Sequence, residues 1–511
     1  MKMRCLLKSC ITCMLLLGCA LNAARAQDWR GNVHIKWDNV LRISKTYPTY
    51  QIVVSALMRP NSPIHDQVYG NLHELGAEYP RFQGWYPFPK LSVAELEPPQ
   101  DRKTFWNFSD MDPLVTGFLD ATKGHKIVLN LATIPQWMFK TTKPVSYPED
   151  AGKVDPYYTG GTELRDPSIK EVADYFSRVL GWYTRGGFKD EYGQWHASNY
   201  HYKVGYWEVL NEVDFEHQMS PETYTAIYDA IVERLHKDDP ELKFVGLALA
   251  ATSSVPVSMK QPRFFEYFLD HKNHKPGIPI DLISYHFYAV PAPDETPQIQ
   301  QFTTFSQADS FLAQVKFVEE IRKRLSPSTG TLLNEIGIIS ADDLGQTQPG
   351  HVSKPIPDSY WNLSAALFGY LYDEVSHLGI DGLGMSSGLA YPDDYYPSVT
   401  MMDWKTGQPN ARYWALKLLI ENVGPGDKQV ETSCTNPFVQ VQAYITPQGQ
   451  HKILLVNRRD RPFVLDIPGV KGGEEELVDQ STGFHPAVKG KLDADKVVLR
   501  GYEVNILKMP Q

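Results

Sequence analysis

Tyr206-Trp207-Glu208-Val209-Leu210-Asn211-Glu212-Val213 opens with aromatic and β-branched residues and closes on an Asn-Glu pair. This pattern predicts a short buried strand that delivers Asn211 and Glu212 to its C-terminal end. A second stretch answers it: Thr331-Leu332-Leu333-Asn334-Glu335-Ile336-Gly337 is again apolar and then acidic. In a (β/α)₈ barrel the C-terminal strand ends form one mouth, where side chains from distant parts of the chain meet. Glu208 precedes Glu212 by four residues on the same strand, so it is expected to point into the barrel floor in a structural role.

Working outward, apolar β-rich runs alternate with helical spacing. Strands are expected at 51–58, 78–82, 126–133, 206–213, 243–249, 280–288, 331–336 and 380–385. Helices are expected at 65–75, 111–122, 166–183, 223–237, 310–325 and 360–377, with Asp110 and Ser220 as N-caps and Gly76 and Gly124 as stops. Eight strands alternating with helices predict a parallel sheet closed into a (β/α)₈ TIM barrel, of class α/β. Residues 27–50 read as a polar lead-in, and 140–165 as a long Pro/Gly/Tyr loop walling the mouth. Gly424-Pro425-Gly426 reads as a linker. Beyond it, short alternating strands at 439–445, 452–457, 463–467, 496–499 and 504–507 predict a small β-sandwich. The expected division is a signal peptide at 1–26, a barrel domain at 27–424 and a β-sandwich at 425–511.

With 511 residues, 42% hydrophobic and 22% charged, the chain has ample material for such a core. The net charge of −10 argues against a nucleic-acid partner, which would call for a basic face. Lys2, Arg4 and Lys8 precede an apolar run at 11–21, and Ala24-Arg25-Ala26 forms a small-x-small cleavage site ahead of Gln27. This predicts export and a secreted or periplasmic protein. In an alternative reading, Leu16-Leu17-Gly18-Cys19 resembles a bacterial lipobox, which would anchor the chain to a membrane through Cys19. Of the five cysteines, only Cys434 lies beyond this segment, so no internal disulfide is expected. Asn107 and Asn362 begin sequons that matter only in a glycosylating host.

Two carboxylates brought to one mouth are the working parts of glycoside hydrolysis. One must be protonated to donate to the leaving oxygen; the other must be ionised to attack the anomeric carbon. The aromatic content of 12% offers flat faces for sugars, with Trp85 and Trp137 as candidate platforms, although both also read as packing residues. Arg81 reads as a partner of Glu335 or as a structural ion-pair residue. His286 and Tyr288 read as substrate-facing groups or as a polar core pair. His196, His201, His271 and His274 lack metal-ligand spacing with acidic partners, so neither metal nor cofactor is expected.

The motif Trp207-Glu208-Val209-x-Asn211-Glu212 resembles the acid/base motif of the clan of retaining (β/α)₈ glycosidases. It is most similar to that of glycoside hydrolase family 39, the β-xylosidases and α-L-iduronidase. Tyr79 to Phe82 on the second strand and His286 with Tyr288 on the sixth extend the likeness over roughly residues 50–511. The resemblance implies Glu212 as general acid/base, Glu335 as nucleophile, and a C-terminal β-sandwich. Asn211 would meet a sugar 2-hydroxyl. The expected activity is retaining hydrolysis of a xyloside, arabinoside, galactoside or uronide, with an oligosaccharide, polysaccharide or glycoside as partner. A carbohydrate-binding pseudoenzyme and a transglycosidase on the same fold are the alternatives. Two departures stand out: Asn334-Glu335-Ile336-Gly337 replaces the Thr-Glu-aromatic pattern, and Gly384-Met385-Ser386-Ser387 lacks the tryptophan found under the sugar in many clan members.

Overall fold

The structure is a computed structural model that describes residues 29–141, 145–155, 163–250, 260–343, 355–389 and 397–510. The expected signal segment, with Cys19 and the cleavage site, lies outside the described residues. Eight parallel strands close into a barrel: Tyr47–Val53, Arg81–Gly84, Val128–Leu131, Tyr206–Glu208, Lys243–Leu249, Leu282–Ala289, Gly330–Ile338 and Gly382–Met385. Helices follow the strands in turn, from His65–Leu75 to Ala411–Asn422. The α/β (β/α)₈ reading holds.

Several boundaries moved. The first strand begins at Tyr47, and Ala56–Met58 is a 3₁₀ turn. Ser55 ends the strand there, because its side chain accepts from the Leu57 N–H at 3.3 Å. The second strand begins at Arg81, since Tyr79 takes a left-handed φ of 60° that no ladder accommodates. Asp110 is not a cap; the helix runs over Asp112–Ala121 with no side-chain cap bond. Ser220 does cap Pro221–Asp238, and Gly76 closes His65–Leu75 at φ 59°.

The larger correction concerns the lead-in. Arg30–Ile43 is a 14-residue strand, and it belongs to the β-domain rather than to the barrel. It pairs antiparallel with Lys428–Cys434 and parallel with Phe463–Asp466. The β-domain is thus built from both ends of the chain. Its nine strands form one continuous sheet, which includes Lys428–Cys434, Glu474–Val478 and Val488–Lys491, three strands not expected from sequence. The sheet curls so that Val33, Val430, Ile453, Leu455, Phe463, Leu465 and Val497 share one core. Alternate residues of the same strands, Leu454, Val456, Val504 and Ile506, face away and merge with the barrel's core. The seam is fastened at buried Asp373 of helix Asp358–Leu378, which accepts from Gln440 Nε2 at 2.6 Å and Tyr444 OH at 3.0 Å.

Inside the barrel, side chains stack in layers. Tyr79, Val128, Tyr206, Val245, Leu282 and Leu332 plug the N-terminal end. Above them sit Arg81, Glu208, Ser284 and Asn334, all buried. Apolar residues close the floor, and each of these four polar side chains has a hydrogen-bond partner within the layer.

Candidate active site

The two sequence stretches meet above that polar layer. Strand four is short, and past Glu208 the chain leaves the ladder. Leu210 and Glu212 adopt φ of 62° and 38°, left-handed values that non-glycine residues hold only where the surroundings enforce them. Here Asn130 Nδ2 donates to the Leu210 carbonyl at 2.8 Å, and the Glu212 N–H donates to the Ala248 carbonyl at 2.8 Å.

Strand seven delivers its carboxylate through a β-bulge. Leu332 pairs with Ser284, but the next pair is Glu335 with His286, so strand seven carries one extra residue there. A regular strand would send Asn334 and Glu335 to opposite faces; the bulge turns both inward. Asn334 Nδ2 donates to Glu208 Oε1 at 2.7 Å, while Glu335 Oε1 accepts from Arg81 Nη1 at 2.5 Å.

Arg81, fully buried, ties the site together. Its Nε donates to Glu208, Nη1 also reaches Gln83 Oε1 at 2.9 Å, and Nη2 donates to Asn211 Oδ1 at 2.7 Å. Glu335 Oε2 accepts from Tyr288 OH at 2.8 Å and lies 3.5 Å from His286 Nδ1. The same His286 nitrogen is 2.8 Å from Glu212 Oε1. Glu212, His286 and Glu335 therefore each offer an atom within 4.8 Å of the others. The Glu212 side chain retains 16% exposure against 7% for Glu335, so it is the carboxyl nearer the opening.

These surroundings drive the two carboxyls apart. Burial raises Glu212, His286 pulls it down, and the charges of Glu335 and Asp214 add to the rise; the net shift is upward. Burial also raises Glu335, but His286, Arg81 and the Tyr288 hydroxyl outweigh it and hold this carboxyl below the usual range. His286 is disfavoured as a cation by burial yet raised overall by Glu335 and Glu212.

Of the expected site residues, Asn211, Arg81, His286, Tyr288, Glu212 and Glu335 converge. Trp85 reaches the site through Glu216. It donates from Nε1 to Glu216 Oε1 at 2.8 Å, and Asn211 Nδ2 donates to the same oxygen at 2.8 Å. Trp137 is set in packing. It is buried, donates to the Glu95 carbonyl at 2.8 Å, and has the Arg165 guanidinium 4.3 Å above its ring, so that face is unavailable as a sugar platform. Glu216, Gln51 and Gln83 were not anticipated. Glu216 is buried, and burial and the Glu212 charge push its carboxyl well above the ordinary range. Only the fold brings Glu216 there: the N–H groups of Phe215 and Glu216 both donate to the Glu212 carbonyl, a single helical turn that swings the side chain at 216 back beside Asn211. Glu212, His286 and Glu335 could offer a metal ion three ligands, but such a cation would sit against the Arg81 guanidinium already bonded to Glu335.

No protein-family model and no curated protein matches the chain. Among solved structures it is similar to the GH51 arabinofuranosidase from Xanthomonas axonopodis pv. citri, at 12% identity over 94% of this chain and 100% of that one, with a TM-score of 0.63. It is similar to the GH51 α-L-arabinofuranosidase from Thermotoga petrophila RKU-1, at 12% identity over 94% and 100%, with a TM-score of 0.60. The GH30 endoxylanase from Clostridium papyrosolvens C71 follows at 11% identity over the same shares, with a TM-score of 0.53. At these identities the likeness defines the fold: a TIM barrel with a curled β-sheet domain.

Proposed function

We propose that the chain is a retaining glycoside hydrolase of the (β/α)₈ clan, with Glu335 as nucleophile and Glu212 as acid/base. The carrying observation is the carboxylate pair itself. Oxygens of Glu212 and Glu335 lie within 4.8 Å of one another, on strand ends four and seven. Retaining enzymes hold their two carboxyls about 5 to 5.5 Å apart, whereas inverting ones leave room for a water.

The division of labour follows from the neighbours. Arg81, His286 and Tyr288 keep Glu335 ionised, ready to form a bond to the anomeric carbon. Glu212 holds its proton and passes it to the departing glycosidic oxygen as that bond breaks. It then takes a proton from the water that displaces Glu335 and releases the sugar. Asn211 has its carbonyl oxygen on Arg81 and one amide hydrogen on Glu216, which leaves the second hydrogen for a sugar 2-hydroxyl.

The strand-four motif favours family 39, whereas the similar structures above carry the names of families 51 and 30, so the proposal stands at the level of the clan. Their named activities, arabinofuranosidase and endoxylanase, support a carbohydrate substrate. The pseudoenzyme alternative is disfavoured by both carboxyls being in place; a transglycosidase would use the same covalent intermediate. We extend the proposal to export, with Gln27 as the mature N-terminus; N-terminal sequencing that finds a lipid-bearing Cys19 would reverse it. The central test is a panel of 2-fluoro glycosides with good leaving groups. The expected result is one label on a peptide containing Glu335, together with product of retained configuration. Label on another residue, or inverted product, would refute the assignment.

A further inference from the structure

Glu216 is a buried carboxyl beside the carboxylate pair, and no step of the proposed mechanism uses it. It stands four residues past Glu212, where the chain has left the ladder of strand four and Leu210 and Glu212 hold left-handed φ of 62° and 38°. Backbone that no ladder fixes is held by other bonds. Glu216 supplies two of them. Its N–H donates to the Glu212 carbonyl at 2.7 Å, and its Oε1 accepts from Asn211 Nδ2 at 2.8 Å. The same oxygen accepts from Trp85 Nε1 at 2.8 Å, which ties it to the chain just past strand two.

An asparagine amide can sit either way round, and the two ways offer a ligand opposite chemistry. Here neighbours decide both ends. Asn211 Oδ1 accepts from Arg81 Nη2 at 2.7 Å, and Nδ2 donates to Glu216. Reversal would set an NH2 group against a cation and an oxygen against a carboxyl oxygen. Burial and the Glu212 charge favour the protonated form of Glu216, against the pull of Asn211 and Trp85. A protonated carboxyl keeps one carbonyl oxygen with two lone pairs, and Oε1 is the oxygen that meets two donors. Arg81 is bonded in turn to Glu335. One run of hydrogen bonds therefore joins Trp85, Glu216, Asn211, Arg81 and Glu335.

We propose that Glu216 is a positioning residue of this site: braced by the Trp85 indole, it fixes the Asn211 amide so that the remaining amide hydrogen meets the sugar 2-hydroxyl. This rests on the glycosidase reading above and deepens it. Glu216 acts through Asn211 and need not touch the sugar. Its effect should therefore appear only where a 2-hydroxyl is present to be read. A contact that strengthens in the transition state is sensitive to small errors of aim, which is why such a group needs support from a second residue.

The experiment measures kcat/KM for an aryl glycoside and for its 2-deoxy counterpart, and follows their ratio. In Glu216→Leu, which keeps the bulk and removes the acceptor, the ratio should fall at least about 10-fold relative to the wild type, because the 2-hydroxyl contact is then misaligned. Glu216→Gln should restore most of it, since the amide repeats the carbonyl oxygen of a protonated carboxyl. In an Asn211→Ala background the ratio should already be low, and adding Glu216→Leu should lower it by less than about 2-fold, as for two residues that act as one unit. Equal losses on both substrates in Glu216→Leu, or the full further loss in the Asn211→Ala background, would overturn the inference and make Glu216 a packing residue. Labelling of Glu335 by 2-fluoro sugars would in that case keep the glycosidase reading intact. A wild type that hydrolyses no glycoside and takes no label would remove that reading and this inference with it. If Glu216→Leu does not fold, Trp85→Phe decides. It keeps a ring, deletes the indole N–H that braces Glu216, and should lower the ratio about 3-fold, the usual worth of one hydrogen bond; a ratio equal to that of the wild type would overturn the inference.

Discussion

Replacing Arg81 by methionine separates two roles that this one side chain combines. In the native site its guanidinium serves Glu208 below and Glu335 above, with Asn211 and Gln83 at its sides. All of this is buried, so removing the cation strands charge. Deleting one partner of a buried ion pair costs about 3–5 kcal/mol. Glu335 would keep His286 and Tyr288, whereas Glu208 would keep, among the described residues, the neutral donors Ser284 and Asn334. Most of the destabilisation therefore belongs to Glu208. Arg81→Met should lower stability by about 3–5 kcal/mol, and adding Glu208→Gln should recover roughly half or more, because the stranded charge is then gone. Activity should behave differently. Without Arg81 the balance on Glu335 shifts toward burial, its carboxyl rises, and Asn211 loses its anchor. The turnover of aryl glycosides should fall by at least about 100-fold, the scale of one lost electrostatic contact to the reacting group. It should stay down in the double variant. Urea unfolding followed by tryptophan fluorescence reads the first effect, and kcat/KM the second. Recovery of activity together with stability would show that Arg81 is only a structural ion-pair residue, and the assignment of its role toward Glu335 would fail.

Glu212→Ala should lose roughly 10²–10⁴-fold on sugar leaving groups, the usual worth of a positioned proton donor. A dinitrophenyl glycoside should still form the covalent intermediate, and added azide should release it as a glycosyl azide of retained configuration; equal losses on both leaving-group types would refute the acid/base role. The kcat/KM profile should be a bell whose acid limb, set by Glu335, falls below the value of about 4.5 of a free glutamate, and whose alkaline limb, set by Glu212, lies above it; in Glu212→Gln, assayed on a dinitrophenyl glycoside, the alkaline limb should vanish, and loss of the acid limb instead would exchange the roles. Glu216, raised in the fold, is stabilising below about 4.5 and a growing liability as pH climbs from that value toward its folded pKa. Glu216→Gln should therefore gain stability over the wild type as pH rises through that window while keeping its bonds to Asn211 and Trp85, whereas Glu216→Ala should raise KM; thermal melts across pH and steady-state kinetics would check both.

The barrel was legible in the chain because strand and helix periods differ, and eight alternations leave little choice of architecture. Lys243–Leu249 and Val439–Ile445 occur at their expected bounds, and both consist mainly of apolar or alternating residues with clear turn signals at their ends. Arg30–Ile43 was read as a lead-in although Val33, Ile35 and Trp37 alternate toward the sandwich core. The period was visible, but its partners lie about 400 residues away, and local sequence carries no record of them. The same limit applies to Lys428–Cys434, whose polar alternation does not look apolar enough alone.

The candidate site divides in the same way. Glu212 and Glu335 could be picked out locally, because each ends an apolar run with an acid that a core would not otherwise tolerate. That Asn334 and Glu335 both face inward could not, since it depends on a one-residue bulge set by pairing with strand six. Nor could the covering of one face of Trp137, which Arg165 imposes by stacking on it. From sequence, which carboxyl is acid and which is nucleophile follows from the resemblance, with Arg81 and Tyr288 favouring an ionised Glu335 only if the fold brings them to it. In the proposed mechanism the division rests on Arg81, His286 and Tyr288, brought from strands two and six to Glu335. Strand periodicity is a property of consecutive residues and is written into the chain. The pKa of a carboxyl is a property of whichever charges surround it, and only the closed barrel determines those.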